Sequence, residues 1–234
     1  MDPAPPLDWP PFALEPPDLA PLDLVALAGG VHTTPLLTER GCARLSAEIE
    51  ERRARLAAAL RTSDARQPPN SMHAHGAMLG PLGLDGVVDA LRERLAPDLA
   101  RLYPEVGGES LDGHHSYLVE YGRDLDEDLG FHVDDSEVTL NLCLGETFSG
   151  AELVLLGRRC ALHRQDPVEP GETLEIDHEP GVCVLHAGWH RHRVDPILRG
   201  ERRNLIAWLR SSAHRAREEA QGGGCRPWCA RSEP

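Results

Sequence analysis

The sequence contains no lysine, so all 24 basic residues are arginines, against 38 aspartates and glutamates and a net charge of -14. A protein that coats nucleic acid needs a basic stripe, which so acidic a chain does not offer. Nucleic acid is therefore not an expected partner, whereas a basic peptide remains compatible with the charge. We attribute the missing lysine to coding bias rather than to function.

Long apolar runs are also missing. No stretch of about 18 apolar residues occurs, which is the minimum for a transmembrane helix. The first residues, Met1-Asp2-Pro3, show neither the basic segment nor the apolar segment of a secretory signal. We therefore expect no membrane span and a cytoplasmic location.

Cysteine is too sparse for a disulfide scaffold, since there are six in 234 residues. Four of them lie in apolar or mixed runs, where we expect reduced, buried thiols: Cys42, Cys143, Cys160 and Cys183. Cys225 and Cys229 could bind zinc with the upstream His214. Their spacing of three intervening residues and the lack of a second cysteine pair favour instead a flexible tail with free thiols.

The chain divides into three parts. Residues 1–37 are rich in proline and predict an extended arm that is partly disordered or wrapped on the domain. Residues 38–214 form the expected domain, and residues 215–234 form a tail. Two helices are expected at the start of the domain, over 38–63 with Thr38 as N-cap and over about 84–102, where Pro97 should kink or divide the helix.

After residue 116 the sequence changes to short runs of residues that favour β-strands. Seven such runs are separated by Gly, Asp and Pro: Tyr117–Tyr121, Glu137–Leu144, Glu152–Leu156, Thr173–Ile176, Val182–His186, His192–Val194 and Asn204–Leu209. Strands this short and this close together indicate a jelly roll, also called a double-stranded β-helix, over about 116–210. Helices followed by strands give an α+β fold in which the helices support one sheet.

A metal site is suggested by His132 and Asp134. Side chains two positions apart in a strand point to the same side, so both could reach one ion. A third ligand would come from a later strand, and His186, His190 and His192 are the candidates there. Two histidines and one carboxylate hold one face of non-haem Fe(II) and leave the other face open for oxygen and substrate.

Further motifs follow the last of these histidines. His192 is followed by Pro196, then by Gly200-Glu201-Arg202, and then by an apolar strand. This order resembles the prolyl 4-hydroxylase-like Fe(II)/2-oxoglutarate dioxygenases. Over roughly residues 66–229, the chain is more closely similar to the group of 2-oxoglutarate and iron-dependent oxygenase domain-containing protein 2. The matching segments are Pro69–Met72, Leu82–Asp85, Leu102–Pro104, Leu118–Tyr121, Leu129–Asp134, Glu137–Asn141 and Gly200–Arg202.

The resemblance implies a ligand set and a co-substrate anchor. His132, Asp134 and His192 match the iron ligands, and His192 alone has the family's spacing to Pro196 and Arg202. Arg202 matches the residue that pairs with the distal carboxylate of 2-oxoglutarate, for which a bidentate guanidinium is suited. The adjacent Arg203 is the competing anchor, although it should face the other side of the strand.

Three further residues are implied as contacts of the co-substrate. Tyr121 matches a strand tyrosine near it, although a core tyrosine is an equal interpretation. Thr139 and Asn141 alternate with leucines, so they share one face of their strand with Cys143. Many of these hydroxylases have an aromatic residue near the position of Cys143, so the chain departs from them there.

The function implied by the resemblance is that of an oxidoreductase incorporating O2. It would use Fe(II) and 2-oxoglutarate, with L-ascorbate as reductant, and release succinate and CO2 while hydroxylating a protein side chain or an amino-acid-like substrate. Two alternatives remain: a sensor of the same fold without turnover, and a cupin-like metalloenzyme, which would not need Arg202. We expect six further histidines to be surface or capping residues rather than ligands: His73, His75, His114, His115, His163 and His178. The acidic run 124–128 is expected to be a solvated loop, or else a lid that selects a cationic substrate.

Overall fold

The structure is a computed structural model that describes residues 8–60, 68–145, 147–222 and 224–229. Its α-helices are α1 (Glu39–Leu60), α2 (Asp85–Leu102) and α3 (Ser212–Gln221). The first two agree with the predicted helices, and the predicted residues 61–63 lie outside the described residues. Helix α3 was not expected, and it runs across the proposed boundary at 214/215.

Ten of the strands follow α2 in the described chain. The strands before the predicted β region are β1 (Val25–Ala26), β2 (His32–Pro35) and β3 (Gly76–Met78). Those within it are β4 (Gly113–Tyr121), β5 (Leu129–His132), β6 (Val138–Gly145), β7 (Phe148–Gly150), β8 (Leu153–Arg158), β9 (Thr173–Ile176), β10 (Val182–Ala187), β11 (His190–Val194), β12 (Ile197–Gly200) and β13 (Arg202–Arg210). All seven predicted runs coincide with strands, with ends that differ by up to three or four residues.

The strands form antiparallel sheets. The largest has seven strands in the order β1-β2-β10-β6-β13-β4-β3, and a second has four in the order β5-β11-β8-β9. A small sheet pairs β12 with β7. The architecture is α+β, and the antiparallel sheets with few helices fit the expected jelly-roll core.

One face of the seven-stranded sheet is covered by α1 and α2. The side chain of Thr38 accepts a hydrogen bond from the backbone N–H of Gly41 at 3.1 Å, which caps α1 as predicted. Leucines and valines on the inner stripes of both helices pack on the leucines of β4, β6 and β13. Burial of these stripes, rather than helix propensity, holds the helices in place.

Helix α2 is not divided at Pro97, contrary to one of the two expected outcomes. Proline removes one backbone N–H from the helix, which a continuous helix tolerates when its neighbours are firmly packed. Leu95 and Leu99 flank the proline and are completely buried against the sheet. Their packing offsets the missing hydrogen bond.

The described part of the N-terminal arm, from residue 8, is wrapped on the domain. Strand β2 pairs with β10 and thereby extends the large sheet, and β1 pairs with β2. Trp9 donates a hydrogen bond from Nε1 to the carbonyl of Pro81 at 3.0 Å. The arm therefore belongs to the fold, while residues 1–7 lie outside the described residues.

The C-terminal segment differs from the predicted flexible tail. Cys225 and Cys229 pack against His163, which lies in the turn after β8. His214, the third partner in the less favoured zinc interpretation, lies in the first turn of α3 against Gly107. All six cysteines are free thiols, as predicted.

The other face of the large sheet looks toward the four-stranded sheet. Side chains of β4 such as Tyr117 and Val119 meet Leu153 and Leu155 of β8 in a second apolar core. A cavity lies between the two sheets beside this core and is lined by both. Among the described residues, none of the helices has the length and apolar character that a membrane span requires.

Candidate metal centre and cavity

His132, Asp134 and His192 converge at one end of this cavity. Nε2 of His132 lies 3.5 Å from Oδ1 of Asp134, and Nε2 of His192 lies 3.7 Å from the same oxygen. The two imidazole centroids are 4.0 Å apart. Three donor atoms thus surround one point, although their residues come from two places in the sequence.

The strand argument for Asp134 was wrong. Strand β5 ends at His132, and Asp134 lies in the following turn, where its backbone N–H donates to the carbonyl of Gly188 at 3.0 Å. A Cβ atom at Gly188 would lie 2.0 Å from the carbonyl oxygen of Ser136. The turn after β5 can therefore approach the β10–β11 turn only because residue 188 is a glycine, and this approach positions Asp134.

Backbone carbonyls fix the orientation of both imidazoles. Nδ1 of His132 donates to the carbonyl of Gly130 at 2.9 Å, and Nδ1 of His192 donates to the carbonyl of His190 at 2.8 Å. With the hydrogen on Nδ1, each ring directs Nε2 toward the shared point, which is how metal-binding histidines are usually held. Burial lowers the pKa of His192 to about 3, so this ring is neutral at physiological pH.

The two oxygens of the Asp134 carboxylate have different contacts. Thr139 donates from Oγ1 to Oδ2 at 2.6 Å and is itself within 2.8 Å of the Ser136 hydroxyl, which leaves Oδ1 directed at the histidines. The pKa of Asp134 lies below its ordinary value although burial alone would raise it, so the carboxyl is ionised. An ionised Oδ1 and two neutral nitrogens are the donor set that non-haem Fe(II) takes.

The competing histidines do not join this group. His186 and His190 are both buried, and neither belongs to the cluster of donor atoms. Nδ1 of His186 donates to the carbonyl of Ala187 at 3.0 Å. The ring of His186 packs edge-on against that of His192 with centroids 4.8 Å apart, but only His192 among the three candidates contributes a donor atom to the cluster with His132 and Asp134.

Arg202 lies in the same cavity and is almost completely buried, with 1% of its surface exposed. Its Nε donates to Oδ1 of Asn204 at 2.8 Å, and its terminal nitrogens contact the carbonyl of Ala151 and Nδ1 of His178. Within the described part of the chain, no carboxylate lies within 4.0 Å of the guanidinium. Burial lowers the pKa of Arg202, but an arginine remains charged in a protein.

Arg203 faces the opposite side of β13, as predicted. Its guanidinium lies 2.9 Å from Glu50 of α1 and 2.9 Å from Glu120 of β4. It is absent from the cavity lining, whereas Arg202 is part of it. The positions of the two side chains therefore favour Arg202 over Arg203 as the candidate anchor of the co-substrate.

Tyr121 and Asn141 also line the cavity. The hydroxyl of Tyr121 lies 3.1 Å from Nε2 of His73, and burial raises the pKa of the phenol, which stays neutral. Asn141 accepts a hydrogen bond from Asn204 at 2.5 Å. Thr139 lies on the same face and holds Asp134, so its contact in the described structure is with a ligand carboxylate.

Sequence reasoning missed three residues of the cavity region. His73 and His178 were expected at the surface, but both are buried, with pKa values that burial lowers to about 4 and about 3. Both follow loops, whose path no periodicity predicts. Asn204 was also missed, although its position two residues after Arg202 on β13 places it on the same strand face.

One residue of the acidic run 124–128, Asp126, is hydrogen-bonded to a neighbouring segment of the chain. Asp126 accepts hydrogen bonds from the backbone N–H groups of Ala74 and His75 at 3.1 and 3.2 Å. The same carboxylate lies 3.1 Å from Nδ1 of His75. Asp126 therefore anchors the loop to residues 74–75, a structural task that the sequence did not suggest.

Comparison with known proteins finds sequence relatives that are 2-oxoglutarate and iron-dependent oxygenase domain-containing proteins. The chain is 41% identical over 207 residues to the 2-oxoglutarate and iron-dependent oxygenase domain-containing protein ICU11 of Arabidopsis thaliana, covering 84% of this chain and 51% of that protein. It is 39% identical over 199 residues to the mouse 2-oxoglutarate and iron-dependent oxygenase domain-containing protein 2, covering 84% of this chain and 53% of the relative. The chain spans about half the length of the curated relatives it matches. No model of a protein family matches it.

Solved structures agree on the fold. A prolyl hydroxylase of Trichoplax adhaerens, solved with a peptide of a hypoxia inducible factor, matches with a TM-score of 0.51 and 18% identity over 82% of this chain and 88% of that one. A 2OG-Fe(II) oxygenase family oxidoreductase of Burkholderia pseudomallei gives a TM-score of 0.52 and 17% identity over 77% and 84%. At such low identity these matches concern the fold alone. Together with the sequence relatives, they confirm the resemblance inferred from the motifs.

Proposed function

We propose that this chain, whose sequence relatives are 2-oxoglutarate and iron-dependent oxygenase domain-containing proteins, is itself a dioxygenase of that kind. It would use Fe(II), 2-oxoglutarate and O2 to hydroxylate a protein side chain or an amino-acid-like substrate, with release of succinate and CO2. In this proposal His132, Asp134 and His192 hold the metal, and Arg202 anchors the co-substrate. The jelly-roll core is the double-stranded β-helix that carries them.

The observation that supports this most is the buried guanidinium of Arg202. A buried charge is costly unless a partner of opposite sign is present, and the contacts described for Arg202 are to neutral acceptors. It shares its cavity with the donor set of His132, Asp134 and His192. A dicarboxylate bound to the metal at one end and to Arg202 at the other would supply the missing anion. A cupin-like enzyme gives no reason for such a residue.

Iron, when bound, supplies the redox chemistry that activates oxygen, and the chain supplies the geometry and the charge. Thr139 keeps one oxygen of Asp134 occupied, so the other oxygen points to the metal position. Hydrogen bonds to His178 and Asn204 fix the orientation of the Arg202 guanidinium. The apolar walls around Val119 and Ile206 restrict water, which strengthens the attraction between Arg202 and a carboxylate.

An open groove next to Asp134 supports a substrate with the shape of a peptide or an amino acid. Its walls come from the turn after β5, from Trp189 and from α3. Asp135 and Glu137 lie along it, and Arg215 pairs with both. A groove with charges of both signs suits a polar side chain on an extended backbone better than an apolar metabolite.

The test is turnover of the wild-type chain beside His132→Ala. We expect succinate and CO2 to form from 2-oxoglutarate only with Fe(II) and oxygen, with ascorbate sustaining repeated turnover. Mass spectrometry of peptide and metabolite pools should show the gain of one oxygen atom with the wild type and none with His132→Ala. Calorimetry showing that the Fe(II) form binds 2-oxoglutarate without turnover on any pool would favour the sensor alternative. Absence of that binding would contradict the whole proposal.

A further inference from the structure

We propose that Cys160, His163, Cys225 and Cys229 form a structural zinc site, separate from the cavity described above. The four residues come from the turn after β8 and from the C-terminal segment, more than 60 positions later in the chain. Their donor atoms, three Sγ and one imidazole nitrogen, all lie within 4.8 Å of one another. The inference does not depend on the proposed oxygenase activity.

The distances are those of a tetrahedral site. Nδ1 of His163 lies 3.3 Å from Sγ of Cys160, 3.5 Å from Sγ of Cys225 and 3.4 Å from Sγ of Cys229. Around a zinc ion with Zn–S of about 2.3 Å and Zn–N of about 2.0–2.1 Å, a tetrahedral angle puts nitrogen and sulfur roughly 3.5 Å apart. The three observed separations lie within a few tenths of an ångström of that value.

Hydrogen bonding alone does not explain the cluster. Nδ1 of a neutral imidazole offers either one hydrogen or one lone pair, yet three sulfur atoms converge on it at nearly equal distance. A disulfide would bring two of the sulfurs to bonding distance, and all six cysteines are free. A single ion at the centre would bind all four atoms at once.

The ligand types select the metal. Three thiolates and one imidazole in a tetrahedron are typical of zinc, whereas the two nitrogens and one carboxylate of the cavity are typical of Fe(II) with open positions. Four protein ligands leave no position for water or substrate, so the site would be structural rather than catalytic. The spacing fits too, since Cys160 and His163 form a Cys-x-x-His pair opposite Cys225 and Cys229.

The surroundings favour an anionic centre. Zinc with three thiolates and a neutral imidazole carries a net charge of about -1. The buried guanidinium groups of Arg159 and Arg191 lie within Coulombic range of Cys229, and both contact the same carboxylate, that of Glu172. A negative centre near two cations that share one carboxylate is electrostatically stabilised.

The site would fasten the C-terminal segment to the four-stranded sheet. Trp228, next to Cys229, stacks on Trp189 with ring centroids 6.3 Å apart. Trp189 precedes β11, the strand of His192, and it also lines the groove beside Asp134. The ion would therefore support one wall of that groove without contacting the cavity.

The test is the metal content of the full chain, prepared with Zn(II) and freed of iron by mild chelation. We expect about one zinc per wild-type chain and a loss of at least tenfold in Cys225→Ser/Cys229→Ser. Cys42→Ala, which removes a buried thiol outside the cluster, is the matched control and should keep its zinc. His132→Ala should also keep it, although it loses the second metal site.

Two measurements on the wild type hold even where a variant fails to fold. X-ray absorption at the zinc edge should show three sulfur ligands at about 2.3 Å and one nitrogen at about 2.0–2.1 Å. A mercurial thiol reagent should release the zinc as the three thiolates react. A wild-type chain that takes up no Zn(II), zinc with only nitrogen and oxygen ligands, or a disulfide among the three cysteines in the purified chain would each overturn the proposal.

Discussion

Two neighbouring arginines on opposite faces of strand β13 have different partners. On the helix face, Arg203 contacts Glu50 and Glu120, and Arg53 forms a bidentate pair with Glu120 at 2.7 and 2.8 Å. On the cavity face, Arg202 contacts only neutral groups among those described for it. The charges of the helix face are balanced inside the chain, and that of the cavity face is not.

The difference shows how a fold separates stability from binding. The ion pairs of the helix face join α1 to the large sheet, so their benefit is already present in the folded chain. Burial of the Arg202 guanidinium is costly, and an anion that binds beside it would recover this cost. An unbalanced buried charge is thus the better indicator of a binding site than a balanced one.

The largest expected effect comes from exchanging each arginine in turn. Arg202→Met should weaken 2-oxoglutarate binding by about 2–5 kcal/mol, which is roughly 30- to 5000-fold, because it removes one partner of a buried charge pair. Metal binding should be unchanged, since Arg202 does not contact His132, Asp134 or His192. Calorimetry on the anaerobic metal-loaded chain measures both affinities.

The matched control is Arg203→Met on the other face. It should leave 2-oxoglutarate affinity within about twofold and lower the free energy of unfolding by about 1.5–3 kcal/mol, the range for a hydrogen bond to a charged group. Glu120 keeps its bidentate contact with Arg53, which limits the loss. Equal effects of the two substitutions on 2-oxoglutarate binding would break the comparison.

A second expected effect concerns pH. Burial lowers the pKa of His73 to about 4 and that of His178 to about 3, below the value of about 6.5 in an unfolded chain. Between about pH 4 and 6.5 the unfolded chain therefore binds more protons, so the free energy of unfolding falls as the pH falls. Each histidine should contribute a loss of about 2 kcal/mol by pH 5.

Denaturant midpoints of the metal-free chain at pH 7 and pH 5 measure this loss. His178→Asn removes one of the buried histidines with a lowered pKa and should reduce the slope of stability against pH. An unchanged slope would show that the pKa of His178 is not lowered in the folded chain. Above about pH 7.5 neither histidine should contribute to the slope.

The smallest expected effect comes from the support of Arg202. His178→Leu removes the acceptor at 3.0 Å from the guanidinium and should raise the KM for 2-oxoglutarate about fivefold, or ~1 kcal/mol, without changing kcat. His178→Asn should restore most of the affinity, because its side-chain oxygen can take the place of Nδ1. If both variants lowered kcat and left KM unchanged, His178 would not position the anchor.

Much of the fold could be predicted because its elements have clear periodicity. The leucine stripes of α1 and α2 and the alternation of β6 and β13 gave helices and strands close to those of the structure. Pro97 was misjudged because neighbouring packing outweighs a single missing hydrogen bond. Asp134 was misplaced because a turn contact with Gly188, rather than a strand, directs its side chain.

The sites were predictable only where their residues lie in regular strands or in known motifs. The resemblance to the oxygenase group implied His132, His192 and Arg202, and Arg203 was disfavoured because side chains alternate along a strand. His178 and His73 lie in loops that no pattern predicts. The cluster of Cys160, His163, Cys225 and Cys229 was missed for another reason. Its two pairs are far apart in the sequence, and the partner of the Cys225/Cys229 pair is a Cys-x-x-His pair rather than two cysteines.

The lengths of the outermost strands have a consequence for association. The large sheet ends in β1 and β3, with two and three residues, and the four-stranded sheet ends in β5 and β9, with four residues each. Long exposed edges offer rows of free backbone groups on which a second chain can add a strand and start aggregation. Because these edge strands are so short, each offers only a brief row of free backbone groups, which limits edge-to-edge pairing, while the long strand β13 is paired on both sides inside the sheet.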